Sequence, residues 1–309
     1  MALTMKSLDT MKISRDSGSI TNAQKIEHIN AIVQLIPDIT HIAIGCYGNN
    51  FGYQSVAYIK EWFDAIHNAG KKVLFRPALA GSFATPADLT TQKVQEVTDF
   101  AACWASTGDI WDVIPETNPL SALYTNVAGW NTFVRNTITA LDTAFASLGK
   151  TVDHTYWSQT DQTFLFNSRV EASTLTAMGN NLCLDFYPMD YIGSPGKGST
   201  VAKVNNCIAE LGTAHANYPT ANIYITEIGY NNTTAVTDED QREVLRVFFN
   251  AVKDLSYIKG INYWVGYGDS QYDKTYTFQS TSRTLPRPAI QVISDFYTNG
   301  ICSKRMNVI

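Results

Sequence analysis

The chain lacks any apolar stretch approaching the roughly 20 residues that cross a bilayer, which argues against a membrane-spanning role. Its amino terminus, Met1-Ala-Leu-Thr-Met-Lys, has no apolar segment followed by a small-residue cleavage site. No leader is therefore read there, and the compartment stays open between retention inside, export by another route, and an extracellular life after removal of a signal. Basic excess is also missing: the formal charge is −5, which argues against a nucleic-acid partner. Cysteine is sparse, with Cys46, Cys103, Cys183, Cys207 and Cys302 in no CxxC or metal-ligand spacing. An odd count of this kind reads as mostly buried free thiols, with one or two bridges left open. No GxGxxG follows an early apolar run and no His-x-His occurs, so neither a dinucleotide cofactor nor a metal is expected.

What the chain has is a repeated rhythm: a short apolar run, a polar or Gly/Pro loop, then a helical pattern. Over Asn22–Leu35 and the residue after it, the apolar residues Ile26, Ile29, Val33 and Ile36 recur at helical spacing. Runs at Met11–Ser14, Thr40–Cys46, Lys72–Arg76, Ile110–Ile114, Val152–Trp157, Leu182–Phe186, Ile223–Thr226 and Ile261–Trp264 read as strands. The helices between and after them are expected at Asn22–Leu35, Val56–Ala69, Thr91–Ala105, Trp130–Leu148, Val170–Met178, Val201–His215, Glu239–Leu255 and Ala289–Tyr297. Strands alternating with helices of this length predict a parallel sheet with crossover helices. Eight such units predict one α/β domain over residues 1–309, a single closed (β/α)₈ TIM barrel, rather than an open doubly wound sheet. The longest loops, 115–129, 187–200 and 265–288, all fall at the carboxyl ends of strands, where barrels build their sites.

Two glutamates stand at those ends. Glu116 follows Ile110-Trp-Asp-Val-Ile-Pro, and Glu227 closes Asn222-Ile-Tyr-Ile-Thr. One carboxylate at a strand end is more often a cap or a surface ion pair. Two, after the fourth and seventh strands, can converge on one ligand. Paired carboxylates are the working parts of glycosidic bond hydrolysis, one donating a proton and the other acting as nucleophile or base.

The arrangement resembles glycoside hydrolase clan A, whose barrels carry the acid/base after strand four and the nucleophile at strand seven. The resemblance spans nearly the whole chain as architecture and rests on short motifs. Ile225-Thr-Glu-Ile-Gly-Tyr230 is similar to the clan's nucleophile segment. Trp264 stands where the clan places a tryptophan under the reacting sugar. Arg76, in Leu74-Phe-Arg-Pro77, looks like the clan's early-strand arginine, on strand three here where the clan commonly has it on strand two. Tyr187, in Asp185-Phe-Tyr-Pro188, resembles another aromatic near the site. One departure concerns Glu116: Pro115 precedes it where the clan commonly has an asparagine, leaving Asn118 as the nearby amide.

The resemblance implies a retaining hydrolase of β-linked polysaccharides or oligosaccharides, with Glu227 as nucleophile and Glu116 as acid/base. Arg76, Asn118, Trp157, Tyr187, Tyr230 and Trp264 are the expected substrate-site residues. Long loops and scattered aromatics favour an open, endo-acting cleft of mannan or glucan type. The expected partner is a carbohydrate, with no nucleic acid, membrane or cofactor, and the chain is read as a monomer or weak homo-oligomer. The competing reading is a barrel that holds glycan without cutting it, as part of a larger surface or particle assembly.

Weaker candidates complete the set. Asp109 is read as a loop or cap residue at the amino end of strand four, with Asp112 on the same strand. Asp153 and His154 are assigned to the bottom of the barrel. Asp185 is divided between a site role and a buried structural one, while Asp190, Asp269 and Asp273 read as solvated loop residues. Tyr47, Phe51, Tyr53, Phe83, Tyr191 and Tyr267 could line subsites but read more simply as local packing.

Overall fold

A computed structural model describes residues 3–10, 20–45, 55–77, 86–103, 108–114, 126–150, 155–159, 169–185, 197–229, 237–264, 277–278, 284–300 and 302. Eight parallel strands close into a barrel in sequence order: β1 (Met5–Asp9), β2 (His41–Gly45), β3 (Lys72–Arg76), β4 (Ile110–Ile114), β5 (Thr155–Gln159), β6 (Asn181–Asp185), β7 (Asn222–Ile228) and β8 (Ile258–Tyr263). Closure comes from β1, which pairs Ser7 with His41 of β2 on one side and with Asn262 of β8 on the other. The crossovers contain helices α1 (Asn22–Leu35), α2 (Val56–Asn68), α3 (Pro86–Asp99), α4 (Val127–Ser147), α5 (Ala172–Ala177), α6 (Lys197–Asn217) and α7 (Asp238–Val252), and α8 (Pro288–Asn299) follows β8.

The expected barrel is therefore present, with local shifts. The first strand lies at Met5–Asp9, ahead of the expected Met11–Ser14, which is outside the described residues. Its sequence, Met-Lys-Ser-Leu-Asp, is too polar to stand out because its inward positions hold Ser7 and Asp9. The third helix begins at Pro86, five residues before the expected start. Proline suits a first helical position, where its fixed φ fits and its missing N–H is not needed. Elsewhere the ends are set by local chemistry. Thr21 and Gln24 form a reciprocal capping box on α1, and Ser55 accepts from the Tyr58 backbone N–H at the start of α2. Gly300, at φ 67°, ends α8 in the left-handed conformation.

Strand alternation divides the core in two. Outward residues such as Leu8, Ile42, Phe75, Trp111, Val113, Ile223, Ile225 and Ile261 join the helices in one large apolar cluster. A small cluster, Met5, Ala43, Leu74, Ile110, Cys183 and Tyr224, fills the barrel itself. Gly260 makes that filling possible: a Cβ there would lie 2.5 Å from the Tyr224 ring and 2.8 Å from Met5 Cβ. Above this plug the inward positions of β1, β3, β4 and β8 turn polar, with Asp9, Arg76, Asp112 and Asn262 all fully buried. The apolar layer supports the fold; the polar layer above it faces the carboxyl ends of the strands.

Among the described residues no helix is long and apolar enough to cross a membrane. Cys103, Cys183, Cys207 and Cys302 are buried free thiols, and Cys46 is outside the described residues.

Candidate active site

Arg76, at the carboxyl end of β3, is the centre of the polar layer. Its Nε donates to Asp112 Oδ2 at 2.9 Å, and its Nη1 donates to Asp9 Oδ2 at 3.3 Å and to Glu227 Oε1 at 2.5 Å. Arg76, Asp9 and Asp112 have fully buried side chains, whereas that of Glu227 is 9% exposed. Glu227 is thus the member of the group whose side chain keeps some exposure. One permanently charged guanidinium faces three carboxyl groups, and its planar donors fix their directions.

Glu227 reaches this cluster through a break in strand regularity. Ile223 and Ile225 point outward, so simple alternation would send residue 227 outward as well. The register of β7 shifts between Ile225 and Ile228 against β8, and beside Asp185 against β6. Ile228 then returns to the outer cluster and Glu227 turns inward to Arg76. A bulge that re-aims one side chain is a recurrent device beside active sites.

β8 closes the arrangement. Asn262 Nδ2 donates to Asp9 Oδ2 at 3.2 Å and to the backbone carbonyl of Thr226 at 2.8 Å. Trp264, two residues on, is half-buried, and its backbone N–H donates to Ile228 O at 2.8 Å. By alternation from Gly260 and Asn262 it lies on the inward side at the barrel mouth.

Of the expected site residues, the structure brings Arg76 and Glu227 into contact and sets Trp264 on the same end of the barrel. Glu116, Asn118, Tyr187 and Tyr230 lie outside the described residues, as does the side chain of Trp157, whose backbone runs in β5. Asp112 is a direct partner of Arg76. Asp185 ends β6 with its backbone beside Glu227, its side chain outside the described set. Asp153, His154, Asp190, Asp269, Asp273 and the loop aromatics Tyr47, Phe51, Tyr53, Phe83, Tyr191 and Tyr267 also fall outside it. Two members of the cluster, Asp9 and Asn262, escaped the sequence reading. A charged residue ending a weak apolar run was the available signal for Asp9, and nothing local marked Asn262.

The opposite end of the barrel is polar too, but differently. Asp109, just before β4, accepts from the Val73 backbone N–H at 2.9 Å and from His67 Nε2 at 3.0 Å. His41 Nε2 donates to Gly108 O at 2.9 Å, and its Nδ1 lies 2.8 Å from the Thr40 hydroxyl. Burial pushes the His41 pKa down to about 4. Among the described residues no cluster of His, Cys, Asp or Glu is arranged to hold a metal ion.

No protein-family model matches the chain, and no curated protein matches it in sequence. Solved structures do match in fold. A GH113 beta-1,4-mannanase superposes with a TM-score of 0.67 at 10% identity, covering 97% of this chain and 100% of the mannanase. A beta-D-glucuronidase from Dictyoglomus thermophilum gives a TM-score of 0.67 at 13% identity, and one from Bifidobacterium dentium 0.63 at 11%. Those matches cover 96% of this chain in both cases, and 50% and 47% of the respective glucuronidases, so the chain spans about half their length. At such identities the likeness is one of fold: the chain has the TIM-barrel architecture found in these glycosidases.

Proposed function

We propose that the protein is a retaining glycoside hydrolase acting on a β-linked polysaccharide or oligosaccharide, with Glu227 as nucleophile and Glu116 as general acid/base. The observation that carries this reading is the contact between Arg76 and a nearly buried Glu227 at the carboxyl end of the barrel. The guanidinium fixes the direction of this carboxylate, and a carboxylate so held is the kind of group that can attack an anomeric carbon. Glu116, two residues beyond β4 in sequence, is the second carboxyl the chemistry requires. In the first step Glu227 attacks the anomeric carbon while Glu116 protonates the departing glycosidic oxygen. In the second, Glu116 takes a proton from water, which displaces Glu227 from the sugar and restores both groups. An endo-acting enzyme of mannan or glucan type is the specific form of the proposal, supported by the mannanase whose whole length this chain matches in fold.

The experiment is turnover of a panel of β-linked oligosaccharides by wild type and Glu227→Gln. Loss of a nucleophile should lower kcat by at least about a thousandfold while oligosaccharide binding persists. Proton NMR of early product should show the β-anomer. An α-anomer formed first would mean inversion, with Glu227 no longer a nucleophile. Binding without turnover by the wild type would replace hydrolysis with the glycan-holding reading.

A further inference from the structure

Resting on the reading of Glu227 as nucleophile, we propose that Asp9, Asp112 and Asn262 are positioning residues that act through Arg76 to set the direction and charge environment of the Glu227 carboxylate. The hydrogen bonds form a closed circuit across the barrel mouth. It runs from the Thr226 carbonyl to Asn262, on to Asp9, then Arg76, and returns to β7 at Glu227, the residue after Thr226. Asp112 holds the guanidinium from the other edge, through Nε. Both the backbone and the carboxylate of the nucleophile's segment are thereby tied to one rigid frame built from β1, β3, β4 and β8.

Stability alone does not account for this frame. Each buried ion loses hydration, and apolar replacements of buried ion clusters are often as stable or more so. Among the described residues three carboxyl groups share one cation, a ratio opposite to what charge pairing alone would select. The surplus has a use beside a nucleophile. Arg76 divides its charge among three carboxyl groups, so Glu227 receives a fixed direction without the full neutralising effect of a private cation. Asn262 supplies an uncharged donor to Asp9, and among the described residues its own buried Oδ1 has no hydrogen-bond partner, so its amide is committed through the nitrogen.

The test uses the full chain carrying Asp9→Asn, Asp112→Asn or Asn262→Leu, each checked for folding by thermal melting. On a β-glycan that the wild type cleaves, each variant should lose about 10- to 100-fold in kcat, with KM changed less than about threefold. In the two Asp→Asn variants more of the guanidinium charge falls on Glu227. The acid limb of the pH–rate profile should then move down by about one pH unit, a shift that a purely structural role does not predict. The same downward shift should appear without substrate in carboxyl ¹³C NMR titrations, with the Glu227 signal assigned by its loss in Glu227→Gln. Folded variants with unchanged kcat and unchanged or upward-shifted titration would overturn the proposal. If the wild type cleaves no glycan, the hydrolase reading fails and the NMR titration alone decides the positioning claim. If no variant folds, the wild-type Arg76 Nε proton decides: ordinary solvent exchange, rather than strong protection, overturns the fixed frame.

Discussion

The two ends of the barrel each bury aspartates, and β4 shows the contrast within four residues. Asp109 caps the amino end, accepting a backbone N–H of β3 and the His67 ring. Asp112, further along, holds a guanidinium that touches the nearly buried carboxylate of Glu227. At the amino end every described contact of Asp109 joins one element of the fold to another. At the carboxyl end the contacts converge on Arg76 and, through it, on Glu227. The same residue type serves closure at one end and the orientation of a reactive group at the other. The barrel's polarity makes the division, because the loops that meet ligand follow the carboxyl ends of strands.

Arg76→Met should blur that division most. It leaves Asp9, Asp112 and Glu227 buried without their shared cation, at an expected cost of about 3–5 kcal/mol. Urea denaturation should show the loss, and turnover should fall with it. Retained activity would mean that the two ends differ less than the contacts indicate. Asp109→Ala sharpens the contrast from the other side. It strands the Val73 N–H and should cost about 1–3 kcal/mol, while kcat in the folded protein stays within about twofold of wild type. A large fall in kcat would place part of the catalytic frame at the amino end.

The remaining prediction concerns pH. His41 has a folded pKa of about 4 against 6.5 for the free side chain, so between those values the unfolded chain binds a proton that the folded one does not. Stability contributed by neutral His41 is therefore complete above pH 6.5 and is lost as pH falls toward 4, by up to about 3 kcal/mol. Glu96, raised to about 7 by burial, works in the opposite direction: its contribution improves as pH falls. The measurement is thus the difference between wild type and His41→Gln in urea midpoints from pH 4 to 7. The variant should be less acid-sensitive, and an unchanged difference across that range would contradict the assignment.

Much of this architecture was legible along the chain. Lys72–Arg76 and Ile110–Ile114 are strands as expected, because their apolar runs end sharply at polar or proline residues. The helix at Asn22–Leu35 announces itself through its apolar spacing and ends where expected. The first strand did not, since its inward residues are polar for the sake of the layer they build. Arg76 and Glu227 were both visible as candidates, but their contact spans 151 positions in sequence. Asp9 and Asn262 lie 253 positions apart and meet only because the barrel closes between β1 and β8.

The sequence by itself determined the eight-unit rhythm, the barrel that follows from it, and the carboxylate at the end of the seventh strand, because periodicity and strand order are local properties of the chain. Only the tertiary structure decided which way that carboxylate points. Alternation from Ile223 and Ile225 aims Glu227 outward, and the register shift between β7 and its neighbours turns it in. A shift of register is a property of paired strands, so no single strand's sequence could reveal it.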